Sequence, residues 1–127
     1  MRIFKNKEFH KWTKKQSIKD SSLQKAVQEM NDGLYDANLG GGIYKKRIAY
    51  GGKGKRGGVR TILAFQIGKK AFFIYGFAKN VIDNITNNEE IALKNLAKIY
   101  FGFTDNQIKA AIDSGELVEV KNEKINT

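Results

Sequence analysis

The residues of this chain that could do chemistry are mostly cations, and they concentrate in one segment. The 127-residue sequence has no cysteine and a single histidine, His10, which excludes thiolate zinc sites and most Ser-His or Cys-His schemes. All 13 acidic residues lie outside residues 37–82. That segment holds ten basic residues, namely Lys45, Lys46, Arg47, Lys53, Lys55, Arg56, Arg60, Lys69, Lys70 and Lys79. Since the net charge is also +10, the whole surplus belongs to this segment, and we expect it to bind a polyanion, above all nucleic acid.

Arg60 is the most informative of these cations. It lies in the strongly apolar run 59–67, which is rich in branched and aromatic residues. Burying an arginine there is costly unless a partner residue or a ligand phosphate pairs with its charge. We therefore expect a functional role for Arg60. By contrast, His10 is expected to be an ordinary surface residue of a helix, because the chain has no second histidine and no cysteine that could act with it as a metal ligand or in catalysis.

Three β-like runs position these cations. Residues 43–50, 59–67 and 71–78 are rich in branched and aromatic side chains, and the last two are joined by a short turn typical of an antiparallel hairpin. The first two are joined by the glycine-rich loop 51–58, which lacks the spacing of a nucleotide-binding P-loop.

Strand alternation indicates how the cations are placed. On the first run Lys45 and Arg47 share one face, while Lys46 points to the other. If the three runs pair as antiparallel neighbours, three cations converge at one end of the sheet below the basic loop. These three are Arg47, Arg60 and Lys79, with Lys53 and Lys55 overhead.

Helices are predicted on either side of these strands. Apolar spacing and end signals indicate helices over 8–15, from Ser21 to Gly33, from Thr86 to Gly102 and from Thr104 to Gly115. The pairs Ser21 with Gln24, Thr86 with Glu89 and Thr104 with Gln107 are predicted capping boxes. Residues 2–5 and 117–120 are candidate further strands, and residues 39–42 are expected to break regular structure. The sequence predicts one α+β domain over residues 1–127. Its small antiparallel sheet, with a mixed edge, has about four strands, with two N-terminal helices and the C-terminal helices packed on it.

The order of these elements, and three stretches of sequence, resemble a known family. The stretches are Gly40-Gly-Gly-Ile-Tyr-Lys-Lys-Arg-Ile-Ala49, Gly58-Val-Arg-Thr-Ile-Leu-Ala-Phe65 and Phe73-Ile-Tyr-Gly-Phe-Ala-Lys-Asn80. Together they resemble the RelE/HigB-type toxins of bacterial toxin-antitoxin systems. The resemblance covers roughly residues 1–100, and it marks 103–127 as a subfamily extension.

The resemblance implies a microbial ribonuclease that enters the ribosomal A site, cuts messenger RNA and is silenced by a cognate antitoxin. Basic residues replace the histidines of ordinary ribonucleases in such toxins. By position the catalytic residues are Arg60, Arg47, Lys46 and Lys79, and the RNA-binding residues are Lys45, Lys53, Lys55, Arg56 and Asn80. The chain departs from the pattern at Thr86, where some relatives place a catalytic tyrosine.

The implied chemistry is attack of a 2'-hydroxyl on the adjacent phosphorus. Arg47 and Arg60 would stabilise the extra negative charge of the transition state. One of Lys46, Lys53 or Lys55 would be the general base, and Lys79 would protonate the leaving 5'-oxygen.

Two alternatives remain open at the level of sequence. A non-catalytic RNA-binding module would also explain a basic sheet, and the related ParE toxins share the architecture but poison DNA gyrase. Tyr44, Tyr50 and Tyr75 could stack a base, although aromatic residues of small sheets are more often core. No metal, cofactor or membrane is expected. The expected partners are the antitoxin, the ribosome and mRNA, and the expected location is the cytoplasm.

Overall fold

The computed structural model describes residues 1–49, 58–78 and 85–121. In chain order the elements are β1 (Arg2–Asn6), α1 (Lys7–Gln16), α2 (Asp20–Asn31), β2 (Ala37–Gly40), β3 (Ile43–Ile48), β4 (Val59–Gln66), β5 (Lys70–Ala78), α3 (Asn87–Phe101), α4 (Asp105–Ser114) and β6 (Leu117–Glu119). Within the described residues, no helix is both long and apolar enough to cross a membrane.

The strands form one mixed sheet in the order β2-β3-β4-β5-β1-β6. All neighbours are antiparallel except β1 and β5, which run parallel. The α+β class is confirmed, but the prediction of about four antiparallel strands is wrong, since the described residues contribute six. The candidate strands at residues 2–5 and 117–120 are present as β1 and β6, but the insertion of β1 between β5 and β6 is a long-range pairing that local sequence patterns do not encode.

A glycine hairpin accounts for the strand that the sequence did not predict, β2. Residues 39–42 were expected to break regular structure, yet β2 pairs with β3 through a turn at Gly40, Gly41 and Gly42. The φ angles of these residues are 85°, 61° and 83°, a region that glycine adopts without steric cost. The turn brings the residues before β2 alongside β3.

The helix ends follow local capping chemistry at most sites. Thr104 and Gln107 form the predicted capping box at the start of α4, and the Thr86 hydroxyl accepts a hydrogen bond from the Glu89 amide at the start of α3. The predicted capping box at Ser21 and Gln24 is wrong, because α2 begins at Asp20 and Ser21 is already helical. Gln24 instead donates a hydrogen bond to the Lys121 carbonyl, at 2.7 Å.

A hydrophobic core lies on each face of the sheet. On the α1/α2 face the buried side chains include Phe9, Leu23, Met30, Ile48, Leu63 and Phe73. On the α3/α4 face they include Phe4, Ile43, Ile62, Phe72, Tyr100, Ile108 and Leu117. Adjacent strand residues such as Ile62 and Leu63 enter different cores, as the alternation of a strand requires. Residues after 103, expected to be an extension, thus supply core side chains.

Candidate functional site

Two arginines are direct neighbours across β3 and β4. The register pairs Arg47 with Arg60, and Arg60 in turn with Phe77 on β5. Directly opposed residues on one face have Cβ atoms about 4.5–5.5 Å apart, and like charges at that separation destabilise a sheet. This convergence of Arg47 and Arg60 is the arrangement that alternation and antiparallel pairing predicted. Both arginines also line one cleft, and a cleft with two guanidinium groups in its lining is suited to an anion.

Asp36 fixes one of the two arginines. Its Oδ1 lies 3.0 Å from Arg47 Nε, and its Oδ2 accepts a 2.6 Å hydrogen bond from the Arg47 backbone amide. The Asp36 amide donates to the Lys45 carbonyl, at 3.0 Å. Asp36 therefore binds both the main chain and the side chain of Arg47. Because it binds the guanidinium through Nε, the planar group still carries two terminal amino groups suited to a phosphate.

The cleft formed by these residues is small, open and basic. It has a volume of about 120 Å³ and is lined by Asp36, Lys45, Lys46, Arg47 and Arg60. Lys45 lies two residues before Arg47 on the same face of β3 and is partly exposed, as is Arg60. A cleft with this lining suits a phosphate group better than an apolar ligand.

Lys46 has a different environment from its neighbours. Its side chain is 3% exposed, and Nζ donates to Glu29 Oε1 at 2.8 Å and to the Leu34 carbonyl at 2.9 Å. Thr61 lies beside it and donates its hydroxyl to the Lys46 carbonyl, at 2.8 Å. The ammonium group is thus buried between α2 and the sheet, while Lys45 and Arg47 face the cleft.

Several predicted site residues lie outside the described residues. These are Lys53, Lys55, Arg56, Lys79 and Asn80. The structure therefore brings together Arg47, Arg60 and Lys45 from the predicted set. Their places on β3 and β4 agree with the strand alternation described above.

Sequence reasoning missed Asp36, the residue that immediately precedes the acid-free segment. A usable signal was present, since a glycine triplet between two short extended runs is typical of a hairpin. Such a hairpin aligns Ala37 with Lys45 and brings Asp36 next to Arg47.

His10 is remote from the cleft. It lies on α1, which packs on the opposite face of the sheet from Arg47 and Arg60. Burial lowers the pKa of His10, and the nearby charges of Lys5 and Lys14 lower it further. The neutral imidazole is therefore favoured in the folded chain.

Comparison with known proteins identifies a family for nearly the whole chain. A family model described as the RelE toxin of the RelE/RelB toxin-antitoxin system matches residues 1–120. No protein with a curated description matches the chain significantly.

Proposed function

Because the chain belongs to the RelE toxin family, and is thus a toxin of a toxin-antitoxin system, we propose that it is an endoribonuclease that cuts mRNA on the ribosome and so inhibits translation. The observation that supports this activity is the Arg47–Arg60 pair beside Lys45 in an open basic cleft. Two arginines in the lining of one cleft suit charge-assisted, bidentate binding of a phosphate.

The Arg47–Arg60 pair suits RNA cleavage in which the 2'-oxygen of the RNA itself is the nucleophile. The ribose 2'-oxygen attacks the adjacent phosphorus and the bond to the 5'-oxygen breaks, leaving a 2',3'-cyclic phosphate and a 5'-hydroxyl. The phosphorus gains a fifth oxygen in the transition state, and its equatorial oxygens take on additional negative charge. Arg47 and Arg60 stabilise that negative charge by charge-assisted hydrogen bonds. Electrostatic stabilisation of this kind is usually the largest contribution to catalysis.

We assign proton transfer to other cations of the acid-free segment, residues 37–82. Of the three lysines that the sequence offers as general base, Lys53 or Lys55 takes the proton of the 2'-hydroxyl, and Lys79 protonates the leaving oxygen. Lys46, which was predicted to be catalytic, is assigned here to the support of β3, because its ammonium is committed to Glu29 and Leu34. Lys45, with Arg56 and Asn80, binds the RNA backbone.

The proposed partners follow from the family and the charge. An antitoxin encoded with this toxin silences it, and the net charge of +10 favours an acidic segment in that antitoxin. The ribosome presents the message in the cytoplasm, and no metal or organic cofactor enters the proposed reaction.

The test is inducible expression in bacteria of the wild type, Arg60→Ala and Arg47→Ala. Growth is followed and a reporter message is mapped by primer extension. Wild type should arrest growth and produce cuts within translated codons, and both arginine variants should lose the cuts. Lys69→Ala is the matched control, because it removes one cation from the exposed turn at the other end of β4 and β5 and should behave as wild type.

Three results would contradict the proposal. Arrest with intact messages would favour the gyrase-poison alternative, and absence of arrest would favour an RNA-binding module. Loss of arrest in Lys69→Ala as well would show that total charge matters and the arginine pair does not.

A further inference from the structure

Tyr75 is an exposed aromatic residue on β5, where most of the described aromatic and apolar side chains are buried. Phe72 and Phe73 on β5 are fully buried and Phe77 is 8% exposed, whereas Tyr75 is 60% exposed. Aromatic rings on a central strand normally fill a core, since they bury large apolar areas. Tyr75 therefore contributes little to the core, and most of its ring is accessible to a ligand.

The strand register places Tyr75 on the same face as the arginine pair. Tyr75 pairs with Ile62, and Ile62 pairs with Lys45, so these three residues form a row across β5, β4 and β3. The next row consists of Phe77, Arg60 and Arg47. Diagonal neighbours such as Tyr75 and Arg60 are about 7–8 Å apart in a sheet, within reach of long side chains. A single nucleotide can thus contact both rows.

The backbone under Tyr75 is held from the opposite face. Gly76 has no side chain, and a Cβ there would lie 2.3 Å from a Trp12 ring carbon, so the indole of Trp12 packs directly on the strand. On the cleft face the Tyr75 ring lies 5.8 Å from the Phe77 ring, centroid to centroid. The Tyr75 ring is therefore supported on a fixed strand, with one aromatic neighbour beside it.

The other tyrosine described on these strands has a structural role. Tyr44 is half-buried on the α1/α2 face, and its ring contacts Phe65 at 5.7 Å and Tyr35 at 5.0 Å in edge-on geometry. Tyr50 lies outside the described residues. Of the tyrosines that the sequence offered for base stacking, Tyr75 alone among the described ones combines exposure with the cleft face.

We propose that Tyr75 is a stacking subsite for one nucleobase of the single-stranded RNA whose phosphate the Arg47–Arg60 pair binds. This inference rests on the proposed ribonuclease function and adds a substrate-positioning residue to it. The phenol ring stacks on the π face of the base, an interaction open to every base because each has such a face. Stacking at one nucleotide fixes the ribose relative to the arginine pair and aligns the 2'-oxygen with the phosphorus.

The experiment measures cleavage of a defined mRNA on programmed ribosomes by wild type, Tyr75→Phe and Tyr75→Leu. The mRNA is either intact or has one abasic residue at each A-site position in turn. Wild type should lose about 5- to 150-fold in kcat/KM at one abasic position, which is the range expected for one base–aromatic stack. Tyr75→Phe, which keeps the ring, should match wild type.

Tyr75→Leu carries the decisive comparison. It should lose a similar factor on the intact message and show no further loss at the sensitive abasic position, because the two changes remove the same contact. Its thermal unfolding midpoint should stay near that of wild type, since the side chain is mostly exposed.

The proposal is overturned if Tyr75→Leu cleaves the intact message at the wild-type rate, or if its sensitivity to abasic residues equals that of wild type. If the wild type cleaves the message and Tyr75→Leu gives either of these results, the ribonuclease function stands and only the stacking subsite is refuted. A wild-type rate combined with loss of antitoxin neutralisation would overturn the subsite and assign Tyr75 to the antitoxin interface. Absence of cleavage by the wild type would overturn the proposed function and the subsite together.

Discussion

Arg47 has a carboxylate, that of Asp36, which holds it in place. Asp36 contacts the Arg47 amide and Nε, and this double contact restricts the rotamers of the arginine before any RNA binds. Such a contact has opposite effects on binding and on chemistry. The negative charge of Asp36 weakens attraction for phosphate, while the fixed guanidinium is better aligned for the transition state.

We predict that Asp36→Asn lowers the turnover of the toxin with little loss of substrate binding. A misplaced catalytic group costs about 10- to 100-fold in rate, so kcat should fall by that factor while KM stays the same or decreases. The measurement is steady-state cleavage on programmed ribosomes. Asp113→Asn is the control, because Asp113 pairs with Lys109 in an exposed position on α4 and should leave kcat unchanged. An unchanged kcat in Asp36→Asn would refute the positioning role.

The sequence was sufficient to predict the arginine pair but not its surroundings. Alternation on β3 and antiparallel pairing with β4 follow from local patterns, and they place Arg47 opposite Arg60. The carboxylates that bind Lys46 and Arg47 come from outside the acid-free segment, from α2 and from the residue before β2. The glycine triplet is a local signal for the hairpin that brings Asp36 to Arg47, whereas local sequence does not specify the docking of α2 that brings Glu29 to Lys46.

At the scale of elements, α2 is attached to the sheet by two lysine–carboxylate pairs. Lys46 Nζ lies 2.8 Å from Glu29 Oε1, and Lys5 Nζ lies 3.0 Å from Asp20 Oδ1. Both lysine side chains are almost completely buried. Asp20 also accepts a hydrogen bond from the Lys121 amide, at 3.0 Å, so the same helix holds the chain beyond β6.

We predict that Glu29→Gln destabilises the fold by about 3 kcal/mol, because it leaves the buried Lys46 ammonium without its counter-charge. The double variant Glu29→Leu with Lys46→Met should be more stable than Glu29→Gln, since it removes both buried charges. Urea unfolding of the purified toxin gives both values. An effect of Glu29→Gln below about 0.5 kcal/mol, the scale of an exposed pair, would contradict a structural role for this contact.

Element boundaries were predictable where capping chemistry is local. The ends of α4 follow from Thr104, Gln107 and Gly115, all of which act within one helical turn. The start of α2 did not follow from its Ser21 signal, because Lys19 serves as the N-cap and Asp20 is needed for the ion pair with Lys5. Tertiary pairing thus shifted this helix start relative to its local preference.

At the scale of the whole molecule, the two faces of the sheet differ in the side chains that they carry. The α1/α2 face carries a core with two buried ion pairs. The α3/α4 face carries a core at one end and the basic cleft at the other. The sheet serves as the rigid support on which Arg47, Arg60 and Tyr75 are aligned, a better foundation for a site than a mobile loop. In the proposed function, the surplus of positive charge attracts the message to the protein.

The central claim is that the arginine pair accelerates attack by a ribose 2'-hydroxyl. The most direct measurement is cleavage by wild type and Arg60→Ala on ribosomes programmed with either an all-ribose message or one with a single 2'-deoxy nucleotide at the cut site. Wild type should cut the all-ribose message to a 2',3'-cyclic phosphate and leave the deoxy message intact, and Arg60→Ala should be slower by about 100- to 1000-fold, as for loss of one transition-state donor. Cleavage of the deoxy message, or a wild-type rate for Arg60→Ala, would contradict the account.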